Sequence, residues 1–198
     1  MDLVNRVKGI LLKPKDTWQE IKGEQTTIKE LYTSYAAILA AIPPIAMFIG
    51  FSILGVRVMG MYYRVSLINS IGHMIVSYVL SLVGLYIVAL IIDKLAPSFS
   101  SQQNMVNAMK VAVYTMTPLW IGSILYIIPS LSPLVMLISL YGLYLFYLGL
   151  PSLMETPQEK AIGYVIVSII VSIVVFALVG FITGALFHMG GMGLGRWY

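Results

Sequence analysis

Five apolar stretches, Leu31–Leu54, Leu67–Ile92, Val111–Ile128, Leu134–Leu150 and Ala161–Phe187, occupy most of this 198-residue chain. At about 1.5 Å per residue a helix over each spans roughly 26 to 40 Å, against a hydrocarbon core of about 30 Å. The expected fold is therefore all-α: a polytopic bundle of five transmembrane helices over residues 31–198, preceded by a short amphipathic arm over residues 1–30. With 59% hydrophobic and 10% charged residues, the chain has too little polar surface to solvate a water-soluble globule of this length. The first apolar stretch follows eleven charges and is too long for the apolar region of a signal peptide, so no cleavable leader is expected.

Charge sets the orientation. Arg6, Lys8, Lys13, Lys15, Lys22 and Lys29 precede the first stretch, Lys94 and Lys110 lie between the second and third, and Lys160 precedes the fifth. Arg57 and Arg64 follow the first and Arg196 follows the fifth, which divides the basic residues nine to three. The excess belongs on the cytoplasmic side, so the N-terminus is expected in the cytoplasm and the C-terminus outside, in a cytoplasmic (inner) membrane. Trp18, Tyr32, Tyr35, Trp120 and Tyr164 fall near expected interfaces, where amphipathic rings settle.

Within the arm, Leu3, Val4, Val7, Ile10 and Leu11 form one helical stripe, which Arg6 and Lys8 leave. Pro14 breaks the chain and opens a second short helix, with Trp18 and Ile21 on one face and Lys15, Asp16, Glu20 and Lys22 over the rest. Leu3, Val7, Ile10, Trp18 and Ile21 are accordingly expected at the membrane interface, with the basic residues among anionic headgroups. A protein partner could use the same stripe, but a stripe beside a membrane span needs none to explain it.

Chemistry inside the spans is sparse. Asp93, Lys94 and Lys110 mark expected helix ends, and Glu155 and Glu159 a loop, so no ionisable pair falls mid-membrane as proton pumps and ion-coupled transporters require. No cysteine is present, which excludes thiol nucleophiles and cysteine-ligated metals. His73 lies on a polar stripe with Ser66, Asn69, Ser70, Ser77 and Ser81, spaced for one helix face. Packing between helices explains such a stripe more simply than a ligand site, because a single His has no carboxylate beside it. Gly180 and Gly184 form a GxxxG pattern, read as an intramolecular packing face. Pro43-Pro44 and Pro118 should kink the first and third helices. The tail with His188, Met189 and Met192 is read as a flexible glycine-rich end rather than a soft-metal site. No catalytic residue, cofactor or metal is expected, nor is nucleic acid as a partner.

Three stretches together resemble a known family. Pro14-Lys15-Asp16-Thr17-Trp18-Gln19-Glu20-Ile21 is similar to the Pro-x-x-x-Trp-x-x-Ile opening of prokaryotic members of the Yip (Ypt/Rab-interacting) family. Tyr114 to Trp120 resembles its aromatic and proline signature, and Tyr141 to Pro151 with Met154, Lys160, Ala161 and Tyr164 resembles its fourth-span signature. The resemblance implies a five-helix domain with a cytosolic N-terminus. For eukaryotic relatives, which carry a longer cytosolic arm than the thirty residues here, it implies association with prenylated small GTPases. The leading functional expectation is a non-enzymatic membrane scaffold that organises partners or modulates the bilayer, with the lipid bilayer and other membrane proteins or a second copy as partners. A small permease-like component using the proline-kinked helices, or an accessory subunit of a larger membrane complex, are the alternatives.

Overall fold

A computed structural model of the chain describes residues 2–58 and 61–191. Among them are five helical stretches long and apolar enough to cross a membrane: Ile28–Leu54, Leu67–Phe99, Met105–Ile127, Pro129–Met154 and Gln158–Ile182, the last continuing as helix to Gly191. The all-α polytopic bundle expected from hydropathy is the fold observed. The second helix begins at Leu67 as expected and the other four begin earlier than their apolar runs, two of them at polar caps. A capping box of Thr27 and Glu30 opens the first, and the Asn104 side chain accepts from the backbone N–H groups of Val106 and Asn107, both at 3.0 Å, to open the third.

The proline positions interrupt the helices as expected. The first span breaks at Ala41 before Ile42–Phe48 and carries π-helical turns at Tyr32–Ala36 and Ile49–Leu54. The third span breaks at Met116, ahead of Pro118 in Thr117–Gly122. Between the first two spans lies a feature the hydropathy pattern does not signal, an antiparallel hairpin of β1 (Val56–Val58) and β2 (Met61–Tyr63), with Val56 opposite Tyr63.

The third span is the axis of the bundle. It is largely buried, whereas the fifth is almost wholly exposed along its apolar length. Glycines let the axis pack closely: a Cβ on Gly142 would sit 2.9 Å from the Thr115 carbonyl oxygen, and one on Gly122 2.7 Å from Ile138 Cγ2. One on Gly50 would lie 2.0 Å from the Tyr126 carbonyl oxygen, so the far end of the first span is pressed onto the third.

Segments that the charge count groups together meet at one end of the bundle. The Gln102 N–H donates to the Met154 carbonyl at 2.8 Å, the Ser101 hydroxyl to Thr156 at 2.8 Å, and Lys160 to the Ser100 hydroxyl at 2.7 Å. Lys22 of the arm lies 3.4 Å from Glu155 on the loop between the fourth and fifth spans.

Candidate functional site: the arm-docking centre

The arm forms two helices, α1 (Leu3–Leu12) and α2 (Pro14–Gly23), with Pro14 in the first turn of α2, where a missing N–H costs nothing. Their contact surface differs from the expected one. Ile10, Trp18 and Ile21 are fully buried in the main hydrophobic core, and Leu3 and Val7 pack partly buried against it. The stripe expected to enter lipid is thus covered by protein, and the apolar side chains of the arm that face outward are Val4 and Leu12. Helical spacing specifies which residues share a face but not whether lipid or protein meets it.

Trp18 is the centre of this contact. Its ring lies over Gly149 of the fourth span, where a Cβ would come within 2.8 Å of Cζ2, and meets Tyr114 edge-on with centroids 6.1 Å apart. Tyr35 of the first span meets Tyr114 at 4.9 Å and Trp120 at 6.5 Å, and its hydroxyl is 2.8 Å from that of Thr117. The three stretches that carry the family resemblance, distant in sequence, therefore converge at this one place.

Polar groups of the bundle close the ends of both arm helices. Lys110 Nζ donates to the carbonyls of Ile21 at 2.9 Å and Glu24 at 2.6 Å, so a buried cation caps the C-terminus of α2, where the helix dipole favours positive charge. Tyr141 Oη donates to the Leu11 carbonyl at 2.9 Å and does the same for α1. Arg6, expected on the outer face, is instead buried: its guanidinium pairs with the Glu24 carboxylate and stands 5.6 Å from the centre of the Tyr114 ring. Beside it lies a polar cavity of about 290 Å³, with Arg6, Glu24, Thr26, Ser34, Tyr35 and Tyr114 in its walls.

Arg6, Lys110 and Tyr141 are the members of this centre that sequence reasoning missed. A signal existed for Lys110: it lies one helical turn before Tyr114 on the most buried span, and a cation in that position needs an electron-rich partner. Which partner it finds is decided 86 and 89 residues away in sequence.

The polar stripe of the second span is divided between environments. Ser70 meets Ser52 of the first span, the Ser77 hydroxyl is 3.3 Å from His73 Nδ1, and Ser81 Oγ donates to the Tyr78 carbonyl of its own helix at 2.8 Å. Asn69 and His73 are exposed, not packed between helices, and line an apolar cleft. Gly180 also departs from its expected role, since a Cβ there meets nothing within 4 Å. The Gly184 side of the pattern lies outside the described side chains, as do the side chains of His188 and Met189, and Met192 lies outside the described residues.

Five apolar helices, one of them a buried axis, with an amphipathic arm held at one end, define a polytopic α-helical membrane protein. The chain belongs to the Yip1 domain family, whose model matches residues 8–179. The inner membrane protein YohC of Escherichia coli strain K12 is 28% identical over 169 residues, covering 81% of this chain and 85% of its own. The YohC protein of Escherichia coli O6:H1 strain CFT073 matches to the same extent. No solved structure matches.

Proposed function

We propose that this protein is a non-enzymatic scaffold of a cytoplasmic membrane, with its arm on the cytoplasmic face, that associates with other membrane helices along its fifth span. The observation carrying this reading is the surface of that span. Ile162, Ile166, Ile170, Ile173, Leu178 and Phe181 are exposed along it, and the helix runs 34 residues, or about 51 Å, more than a hydrocarbon core of about 30 Å requires. Gly180 on the same span offers a place where another backbone can approach closely. The similarity to inner membrane proteins supports the membrane assignment, and the clustering of the basic segments at one end supports the cytoplasmic placement of the arm. The same reading divides the chain into an arm, 1–30, and a membrane domain, 31–198. Lys110 and Tyr141 then hold that arm to the membrane domain, and the Arg6–Glu24 pair ties its two helices together as a fixed platform.

Photo-crosslinking in native membranes tests the proposal. A crosslinker placed at Ile166 or Phe181 should give a discrete protein adduct, whose mass distinguishes a second copy from another protein. Adducts to lipid alone at both positions refute a scaffold acting through this span.

A further inference from the structure

The arm enters the bundle lengthwise and does not lie across its end. Lys22, near the end of α2, pairs with Glu155 just past the fourth span, and Trp18 lies over Gly149, inside that span. Beside the turn that joins α1 to α2, the Leu11 carbonyl is bonded to Tyr141. Tyr141 stands thirteen residues before Met154, so the turn lies about 20 Å along the fourth span from its arm-side end. Side chains lean toward the N-terminus of their helix, which here is the far end, so the Tyr141 hydroxyl is no shallower than its backbone. The third span gives the same measure: α1 packs against Thr117–Gly122, which begins about 18 Å beyond Met105.

At this level the protein is charged on one side and apolar on another. Around the turn Lys8, Lys13, Lys15 and Asp16 are exposed, and so is Leu12 between them. Among the described residues the side chains of Lys8, Lys13 and Lys15 make no ion pair or hydrogen bond. On the fifth span Ile170 lies about 18 Å from Gln158, a similar depth, and there Ile166, Ile170 and Ile173 are all exposed. The aromatic residues follow the charges. Tyr144 and Tyr147 are exposed on the fourth span about 15 and 10 Å from Met154, and amphipathic rings settle at the edge of the hydrocarbon. From Leu134 to Tyr144 the fourth span exposes about 15 Å of apolar helix, whereas Ile162 to Phe181 on the fifth spans about 29 Å.

We propose that the turn of the arm is a contact for phospholipid headgroups, which draws one leaflet inward and holds the bilayer thinner beside the arm than beside the fifth span. The ammonium groups of Lys8, Lys13 and Lys15 donate to phosphodiester oxygens, and Leu12 enters the acyl region next to them. Hydrocarbon at this level would leave three cations and a carboxylate unsolvated, whereas a local change of bilayer thickness is a modest cost per ångström. Lysines around one projecting leucine match the order of phosphate above acyl chain that a leaflet presents. The step is the same whichever leaflet holds the arm.

The test places single cysteines at Leu12, Ile170 and Gln158 in the full-length chain, which has none of its own. Each carries a nitroxide, in nanodiscs of equal phosphatidylglycerol and phosphatidylcholine, and depth is read from accessibility to oxygen and to a water-soluble nickel chelate. Ile170 should meet oxygen and not the chelate, and Gln158 the reverse. Leu12 should fall between them, with at least fivefold more chelate accessibility than Ile170 and at least twofold less than Gln158. The nitroxide at Leu12 should also relax lipid phosphorus at least fivefold more strongly than the one at Ile170. Lys8→Leu/Lys13→Leu/Lys15→Leu should lower chelate accessibility at Leu12 at least threefold, with slow hydrogen exchange over residues 14–23 showing the arm still docked. A Leu12 label as deep as Ile170, as aqueous as Gln158, or shielded from both relaxing agents overturns the proposal, because hydrocarbon, water or a protein partner then meets the turn. Phosphorus relaxation no stronger from Leu12 than from Ile170 overturns it as well.

Discussion

Replacing Trp18 with Ala tests whether the arm is a docked element of the bundle. The ring is fully buried, packs over Gly149 and meets Tyr114 edge-on. Its contribution is chiefly packing and buried area. Truncating a fully buried Trp costs about 3–5 kcal/mol when neighbours cannot collapse into the space, and here one neighbour is a glycine with no side chain to move. The other attachments of the arm to the bundle are the buried side chains of Ile10 and Ile21, the carbonyl caps from Lys110 and Tyr141, Arg6 against the Tyr114 ring and the Lys22–Glu155 pair. The polar ones supply about 1–3 kcal/mol each at most, so losing the Trp18 ring removes the largest single contact and α1 and α2 should open far more often while the five spans stay assembled. Hydrogen exchange in nanodiscs reads this directly: amides of residues 3–23 should exchange on the order of a hundredfold faster or more in Trp18→Ala, with the spans unchanged. Leu12→Ala, at a position 78% exposed, should behave as wild type. Wild-type protection of residues 3–23 in Trp18→Ala refutes the docking argument.

Other consequences follow from the same geometry. Lys110→Met removes two hydrogen bonds, to the Ile21 carbonyl of α2 and to the Glu24 carbonyl just after it, and leaves the buried Ile21 acceptor unpaired, so arm protection should fall by about 2 kcal/mol, also read by hydrogen exchange. Gly142→Ala places a methyl against the Thr115 carbonyl and should lower the thermal midpoint in detergent, corresponding to about 1–3 kcal/mol, whereas Gly180→Ala, with open space around it, should leave it unchanged. Tyr164→Phe deletes the bond its hydroxyl donates to the Ile92 carbonyl while keeping the ring stacked on Phe99 at 4.7 Å, for a loss of about 1 kcal/mol in the same assay. The chain has no cysteine, so single cysteines at Lys15, Gln102 and Gln158 can be labelled cleanly; all three should be reached from the cytoplasm, and Ser130 from outside.

The spans were legible because burial in lipid requires every side of a helix to be apolar, and hydropathy records that without reference to partners. Their ends were less so. Hydropathy stops at polar residues, yet Asn104 caps a helix that carries Asn107 and Lys110 through its first two turns, each bonded to a carbonyl from another segment. The periodicity of the arm specifies an apolar face but not what meets it, because Ile10, Trp18 and Ile21 present the same spacing to an acyl chain and to the fourth span, and in the fold they meet protein. Arg6 misled for the same reason: its compensation comes from Glu24, which lies in the next segment and is brought back only when α1 and α2 fold together. The serine and histidine stripe likewise marked one face of the second helix without specifying that the proline break in the first would open a cleft along it.

These placements bear on how a scaffold of this kind can operate. The arm is held by side chains of the third span, the buried axis of the bundle, and of the fourth beside it. The broad exposed apolar surface lies on the second, fourth and fifth spans, and of these the fifth makes none of the arm-docking contacts described above. The fifth span touches the rest of the protein through the second and fourth and through the Phe99–Tyr164 stack near its start, so its later turns can meet another helix without disturbing the axis. A perturbation that frees the arm should therefore leave association along the fifth span intact. Crosslinks from Phe181 in the Trp18→Ala background separate the two: an undiminished adduct means that platform and contact face act independently, and its loss means that the axis transmits the state of the arm to the far end of the bundle.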